Sequence, residues 1–200
     1  MIKVVCFDLD GVFFTKTGFA GFKESLISLG AAKEAVEFYF HKEPMEEFKR
    51  GEIEESDFWE EAVKYLGLNV SPDVLINLLP QKYEINDEVL EYIQKLKQKG
   101  IKTCICSNNF ITRVQKLEKR FHFLQNFDCA VFSYQVGVLK PNKEIFESLL
   151  KELNIQPSEL IYSDDNEDKL SAAKELGIQT HLYVDFAEFK KFVDSNLSLT

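Results

Sequence analysis

Short runs of apolar, often β-branched residues recur along the chain. They lie at residues 2–7, 101–106, 129–132, 160–162 and 180–184. The runs are mostly continuous rather than alternating, which is typical of strands that are buried on both faces of a parallel sheet. We therefore predict about five buried, parallel strands.

Between the later runs, apolar residues recur every three or four positions, which predicts helices. Such patterns cover residues 87–99, 142–153 and 168–176, and Gly100 and Gly177 are plausible ends for two of them. Strands that alternate with helices predict a doubly wound parallel α/β sheet with helices on both faces.

Residues 15–82 interrupt this alternation after the first strand. They contain no convincing buried strand, and breakers such as Gly30 and Gly51 separate their helix-like stretches. We therefore predict an all-helical cap at residues 15–82, inserted into an α/β core that is formed by residues 1–14 and 83–200.

One stretch of this cap, residues 51–68, has apolar residues at helical spacing. Ser56 and Asp57 are plausible N-caps for its helix. Trp59 lies beside the apolar stripe, so we expect it to pack in the cap interior rather than against a sugar. The stripe consists of Phe58, Ala62, Tyr65 and Leu66.

Polar and charged residues follow four of the predicted strands. Because ligands bind beyond the carboxyl ends of the strands in doubly wound sheets, these residues are the candidates for a functional site. They are Asp8 and Asp10 after the first run, Ser107 and Asn108 after the second, Lys140 in a loop after the third, and Asp164 and Asp165 after the fourth.

The candidate residues suit chemistry on a phosphoryl group. Clustered carboxylates without Cys or His favour Mg²⁺ as the bound cation. An aspartate can attack phosphorus, and a second carboxylate can serve as general acid and base. Lysine, hydroxyl and backbone N–H groups can hold the phosphoryl oxygens, and phosphoryl transfer depends mainly on such positioning.

Four segments that carry these residues, in this order, resemble the motifs of the haloacid dehalogenase superfamily. The chain is most similar to the branch that has a helical cap after the first motif, and GEIEESDFW at 51–59 resembles a cap segment of that branch. The four motifs are FDLDGV at 7–12, CSNN at 106–109, SYQVGVLKPNKEIFE at 133–147 and IYSDDNEDKLSAAKELGI at 161–178.

The resemblance implies a role for each matching residue. Asp8 would be the nucleophile and a magnesium ligand, and Asp10 would be the acid/base, with its backbone carbonyl also on the metal. Ser107 and Asn108 would bind the phosphoryl group. Lys140 would neutralise the charge of that group and orient Asp8.

The last motif has the paired-aspartate form. Asp165 would be a direct metal ligand, whereas Asp164 would be either a ligand or a residue that supports the ligands. Ser107, Asn109, Asn166 and Asp168 are also plausible helix caps.

The implied function is Mg²⁺-dependent hydrolysis of a small phosphomonoester through an aspartyl-phosphate intermediate. Three alternatives stay open: a sugar phosphomutase of the same family, a dehalogenase, and a catalytically idle phosphate-binding regulatory module. Dehalogenases of the family lack the acid at the position of Asp10, which disfavours the second. The intact set of motifs disfavours the third.

Composition narrows the possible partners. The net charge is −9 and the basic residues form no run, which argues against a nucleic-acid or anionic-membrane surface. No apolar stretch is long enough to predict a transmembrane helix, and the N-terminus resembles a strand rather than a signal peptide. We expect a cytoplasmic monomer or small homo-oligomer that acts on a small phosphorylated metabolite.

Several other residues attract attention without matching a motif. Lys49 and Arg50 are interpreted as a solvated helix face, with substrate contact by one of them as the alternative. His41, His122 and His181 are expected at the surface or in packing. All four cysteines are predicted to be buried free thiols; they are Cys6, Cys104, Cys106 and Cys129.

Overall fold

The computed structural model describes residues 1–41 and 43–197 and contains a five-stranded sheet. Its strands are β1 (Val4–Phe7), β2 (Lys102–Ser107), β3 (Cys129–Phe132), β4 (Leu160–Asp164) and β5 (Gln179–Leu182). They lie in the order β3-β2-β1-β4-β5, and each neighbouring pair is parallel. The predicted α/β class is confirmed, and the carboxyl ends of all five strands lie at one edge of the sheet.

Helices cover both faces of the sheet and fill the segment after β1. In chain order they are α1 (Thr17–Ser28), α2 (Lys33–Tyr39), α3 (Glu43–Arg50), α4 (Glu55–Tyr65), α5 (Pro72–Leu78), α6 (Asp87–Gln98), α7 (Ile111–Phe121), α8 (Ser133–Val136), α9 (Lys143–Leu153), α10 (Ser171–Glu175) and α11 (Phe186–Asn196). Short 3₁₀ helices cover Phe123–Asn126, Pro157–Glu159 and Glu167–Leu170. Among the described residues, none of the helices combines the length and the apolar character that a membrane crossing requires.

The central strand β1 shows why the apolar runs are continuous. Val5 and Phe7 point into a hydrophobic cluster with residues of α6, α7 and α11. Val4 and Cys6 point to the other face, where they join residues of α9 and α10. Because side chains alternate between the faces of a strand, burial of both faces requires an apolar residue at every position.

The helices α1 to α5 follow β1 and precede α6, and the structure has no strand in the described parts of residues 15–82. They form a hydrophobic cluster of their own, around Phe22, Phe58 and Trp59, which also includes Phe110 from the core. The inserted helical unit is thus confirmed, while its limits at residues 15 and 82 stay a prediction.

Two local predictions in the cap are wrong. The helix α4 begins at Glu55 with Glu54 as its N-cap, so neither Ser56 nor Asp57 caps it. Both lie in the first turn, where negative charge is favoured by the helix dipole. Tyr65, predicted on the apolar stripe, is 47% exposed and stacks on Phe38 at the surface.

Near the site, the predicted helix at 168–176 is divided into the 3₁₀ turn Glu167–Leu170 and α10. The side chain of Asn166 accepts a hydrogen bond from the backbone N–H of Asp168 at 3.0 Å, which gives this turn a tight start and confirms Asn166 as a cap. The strand β4 extends to Asp164, so the first acid of the last motif belongs to the sheet itself.

Candidate active site

The first and last motifs meet because β1 and β4 are neighbours. The backbone N–H of Asp8 donates to the carbonyl of Ser163 at 2.9 Å, which continues the sheet past the end of β1. Asp8, Asp164 and Asp165 each offer a carboxylate oxygen, and these oxygens lie within 4.8 Å of one another. Gly11 leaves the space that Asp165 occupies: it has φ +74°, and a Cβ there would lie 2.3 Å from Asp165 Oδ2.

Lys140 lies among these acids with its side chain fully buried. Its Nζ is 2.9 Å from Asp8 Oδ1 and 2.7 Å from Asp164 Oδ2. It also contacts the Tyr162 hydroxyl at 2.6 Å and the Cys106 carbonyl at 2.9 Å, and Tyr162 donates to Asp164. We call Lys140, Asp8, Asp164 and Tyr162 the lysine cluster.

The second motif holds the backbone of Lys140. Asn108 Oδ1 accepts from the Lys140 backbone N–H at 2.7 Å, and Asn108 Nδ2 donates to the Lys140 carbonyl at 3.0 Å. The amide side chain of Asn108 is therefore engaged with the loop that carries Lys140. Its predicted phosphoryl contact stays a prediction.

The charges in this cluster stabilise one another. Burial alone would raise the pKa of Asp8, but the charges of Lys140 and Lys169, with hydrogen bonds from Lys140 and Ser107, hold that pKa below its ordinary value. Burial alone would lower the pKa of Lys140, but Asp8 and Asp164 raise it. Asp8 is thus an ionised carboxylate, as a nucleophile must be.

Burial and the nearby charge of Asp8 raise the pKa of Asp165. Its side chain is 22% exposed and forms an ion pair with Lys16, with the Lys16 Nζ 3.3 Å from Asp165 Oδ2. Crowded carboxylates with hard oxygen donors are a favourable site for Mg²⁺. The residues present therefore fit the predicted cation.

Asp10 lies two positions beyond Asp8 in a different setting. Its side chain is 40% exposed, and its Oδ2 is 2.8 Å from a terminal nitrogen of Arg113, whose side chain is 3% exposed. Arg113 also donates from Nε to Asn109 Oδ1 at 2.7 Å and from its other terminal nitrogen to the Tyr83 hydroxyl at 3.2 Å. We call Arg113, Asp10, Asn109 and Tyr83 the arginine cluster.

The two basic residues at the end of α3, Lys49 and Arg50, have different surroundings in the structure. The guanidinium of Arg50 pairs with Glu43 and Glu52, each at 2.9 Å and both within the cap. Lys49 is half-buried, and burial followed by the charges of Arg113 and Lys169 lowers its pKa to about 8, against the opposing effect of Asp10. Arg50 is thus paired within the cap, whereas Lys49 is subject to the charges of core residues.

Ser133 links the end of α3 to the core through hydrogen bonds. Its hydroxyl accepts from the backbone N–H of Asn109 at 2.9 Å and donates to the carbonyl of Lys49 at 2.6 Å. A second tie is the hydrogen bond from Trp59 Nε1 to the buried Thr112 Oγ1 at 3.0 Å, which agrees with the predicted packing of Trp59.

Ser107 is the last residue of β2 and is 1% exposed. The prediction that it also caps the next helix is wrong, because α7 begins at Ile111 with Phe110 at its N-cap. Cys129 is half-buried at the end of the sheet, so the prediction of burial fails for this cysteine. The other three thiols are buried, and all four are free.

Arg113 and Tyr162 belong to the site but were not predicted from the sequence. Arg113 shares a buried face of α7 with Val114 and Leu117, so a charged residue on an apolar stripe was the available signal. Tyr162 lies within an apolar strand, where its hydroxyl gave no local signal. The contacts of both residues form only in the folded chain, where their partners come together.

A model of the haloacid dehalogenase-like hydrolase family matches residues 2–177. The chain belongs to this family. The predicted membership in the haloacid dehalogenase superfamily of hydrolases is thereby confirmed, while the resemblance to its helical-cap branch stays a prediction.

Similar proteins include chains much longer than this one and chains of similar length. The chain is 28% identical to mouse bifunctional epoxide hydrolase 2 over 90% of its own length but only 36% of the mouse protein's. It thus spans about a third of that relative. It is 25% identical to the sesquiterpene phosphatase astK of Aspergillus oryzae, with 88% of this chain and 87% of that one covered.

Among solved structures, a HAD family enzyme from Bacteroides thetaiotaomicron in complex with magnesium and inorganic phosphate superposes with a TM-score of 0.82. The two chains are 23% identical, and the match covers 94% of this chain and 99% of the other. This likeness confirms the fold.

Proposed function

We propose that the protein is a Mg²⁺-dependent phosphatase that hydrolyses a small phosphomonoester through an aspartyl phosphate on Asp8. The observation that carries the proposal is the grouping of Asp8, Asp164 and Asp165, two of which, Asp8 and Asp164, are paired with the buried ammonium of Lys140. Asp10 lies close by with an exposed carboxylate. A nucleophile, a candidate cation site and an acid/base thus occur together at one sheet edge.

In the first step, a carboxylate oxygen of Asp8 attacks phosphorus while the ester P–O bond breaks. Asp10 gives its proton to the departing alkoxide. In the second step, Asp10 takes a proton from water, the water oxygen attacks phosphorus, and the bond to Asp8 breaks to release inorganic phosphate. The same carboxylate therefore serves first as an acid and then as a base.

The other candidate residues hold charge and geometry. Lys140, the Ser107 hydroxyl and the backbone N–H of Asn108 would bind the phosphoryl oxygens. Asp8, Asp164 and Asp165, with the backbone carbonyl of Asp10, would hold Mg²⁺, which supplies positive charge to the phosphoryl group when bound. Lys49, which is half-buried in the last turn of α3, would contact the substrate from the cap.

The first test combines metal dependence with detection of the intermediate. Purified protein is assayed with a panel of sugar phosphates, nucleotides and small acid phosphates, with Mg²⁺ or with excess chelator. We expect inorganic phosphate release only with Mg²⁺, and poor substitution by Ca²⁺ because its looser coordination misplaces the nucleophile. Full activity in chelator would exclude the metal role.

Acid quenching during turnover should reveal a mass increase of about 80 Da at Asp8, which is one phosphoryl group. Rapid loss of that mass to water distinguishes a phosphatase from a phosphomutase, which returns the phosphoryl group to a substrate. A protein that binds phosphate without labelling or turnover would instead be the idle module. The panel also defines the substrate class.

A further inference from the structure

Of the arginine cluster, only Asp10 has a part in the proposed mechanism, yet its residues are joined by a network of hydrogen bonds and an ion pair. The Arg113 guanidinium uses each of its three nitrogens on a different partner, Asp10, Asn109 and Tyr83. A guanidinium presents its donors in one fixed plane, so three partners at separate nitrogens determine its orientation.

Aromatic rings further restrain the same guanidinium. Its central carbon lies 5.2 Å from the ring centre of Phe19 in the cap and 5.1 Å from that of Phe110 in the core. Cations at this distance are attracted to aromatic rings, most strongly where water is excluded. Arg113 is therefore held by the cap, by the segment that leads from cap to core at Tyr83, and by the loop of the second motif.

The pairing with Asp10 is one-sided. Arg113 holds Oδ2, and among the described residues no hydrogen bond or ion pair is made to Asp10 Oδ1. An ion pair with an exposed partner contributes little to stability, so stability alone does not account for this pairing. Here the cation is buried while the side chain of Asp10 is 40% exposed.

We propose that Arg113 is a positioning residue for the acid/base Asp10. By holding Oδ2, it presents Oδ1 to the oxygen that gains or loses the proton. The inference rests on the proposed function, since it assigns Arg113 to the step in which Asp10 activates water. Arg113 itself touches neither substrate nor phosphorus.

The test measures the hydrolysis of the aspartyl phosphate in Arg113→Lys. Lysine keeps the charge but cannot reach three partners from one plane. We expect this step to slow by about 10- to 100-fold, as a misplaced catalytic group does. The fraction of enzyme labelled at Asp8 should rise, while formation of the label from a substrate with a good leaving group changes little.

The decisive comparison is a double-mutant cycle with Asp10→Asn. If Arg113 acts through Asp10, Arg113→Lys should slow the step by less than about twofold once Asp10→Asn is present, because the effects of coupled residues do not add. An equal loss in both backgrounds, with the parent enzyme still labelled at Asp8, overturns the role of Arg113 alone. Absence of the label from the parent enzyme overturns the proposed function and this inference with it.

Two further variants separate positioning from folding. Thr112→Val is a matched control, because Thr112 is equally buried one position earlier and binds Trp59 rather than Asp10. We expect it to lower thermal stability without slowing hydrolysis of the aspartyl phosphate, and an equal slowing would overturn the inference. Tyr83→Phe removes one partner of Arg113 and should slow the same step by a smaller factor, even if Arg113→Lys fails to fold.

Discussion

The lysine cluster and the arginine cluster each pair a buried cation with an aspartate of the first motif, but the two aspartate side chains differ in how far they are exposed to solvent. Lys140 is surrounded by buried acids, with side chains of Asp8 and Asp164 that are 4% and 0% exposed. Arg113 is surrounded by neutral partners and rings, and its aspartate is 40% exposed. The carboxylate of Asp8 is thus buried beside its cation. The carboxylate of Asp10 is bound through Oδ2 and is partly exposed.

The shape of each cation suits the partners that surround it. The ammonium of Lys140 is compact and can approach four oxygens from different directions. The planar guanidinium of Arg113 can lie near two rings and bind three partners in its plane. The difference suits the two roles in the proposed mechanism, in which Asp8 would attack phosphorus and Asp10 would exchange protons.

Asp8→Asn should have the largest effect of any single substitution. A neutral amide cannot attack phosphorus and binds Mg²⁺ poorly, so the whole covalent route is lost. We expect turnover to fall by several powers of ten in a steady-state assay, with no label at this position after acid quenching. Near-normal turnover would show that another group is the nucleophile.

Asp10→Asn should have the next largest effect and a different signature. General acid–base catalysis is typically worth about 10²–10⁴-fold, and the amide cannot supply it. A substrate with a good leaving group needs no proton in the first step, so label should still form at Asp8 and then accumulate. Mass spectrometry of the quenched enzyme checks this. Label at a different residue would refute the mechanism.

Lys140→Met should lower the free energy of unfolding, because it removes the cation of the lysine cluster. The substitution leaves Asp8 and Asp164 as buried charges without their cation, and breaking a buried pair typically costs about 3–5 kcal/mol. Urea unfolding without Mg²⁺ measures the loss. Lys143→Met is the matched control, because Lys143 is 62% exposed and its ion pair with Glu147 is at 4.0 Å. Equal stability of the two variants would contradict the assigned role of the cluster.

The same substitution should change the dependence of stability on acid. Because the folded-state pKa of Asp8 is lowered, its contribution is present above the ordinary aspartate pKa of about 3.9 and is lost as the pH falls through the folded value. The parent protein should therefore lose part of its free energy of unfolding in that acid range. Lys140→Met should lose less there, since its Asp8 has no cation to lower the pKa.

The residues of the lysine cluster were largely predictable from the sequence. Asp8 follows β1, Asp164 ends β4 and Lys140 lies in a loop after β3, and parallel strands bring their carboxyl ends to one edge. Tyr162 was not predicted because its hydroxyl becomes a partner only when β4 lies beside β1. Local pattern sufficed for the central strands β1, β2 and β4 because they are buried on both faces.

Apart from Asp10, the residues of the arginine cluster were not predictable in the same way. The apolar stripe of α7 gave a signal for Arg113, but its ring partner Phe19 depends on how the cap docks, which the spacing of apolar residues within one element does not determine. The same is true of Lys49 and Arg50, which were both interpreted as a solvated face. In the structure Lys49 is half-buried, and Arg50 is paired with Glu43 and Glu52.

Lys49→Ala should have the smallest effect, confined to substrate binding. Loss of one hydrogen bond to a charged group is worth about 1.5–3 kcal/mol, which corresponds to roughly a 10- to 100-fold rise in KM. The turnover number should change little, and a small generic substrate should be affected less than the best substrate of the panel. Arg50→Ala is the control, because its guanidinium is occupied by Glu43 and Glu52.

The pH dependence of the parent enzyme sharpens this last prediction. Burial, Arg113 and Lys169 lower the pKa of Lys49 to about 8, while Asp10 and Glu46 oppose them. Above that pH the side chain loses its proton and its attraction for a phosphate dianion, so kcat/KM should fall there, since this ratio reports the free enzyme. Lys49→Arg keeps its charge and should move the fall to higher pH, whereas Arg50→Lys should leave it in place. A fall at the same pH in Lys49→Arg would assign the titration to another group and return Lys49 to a structural role.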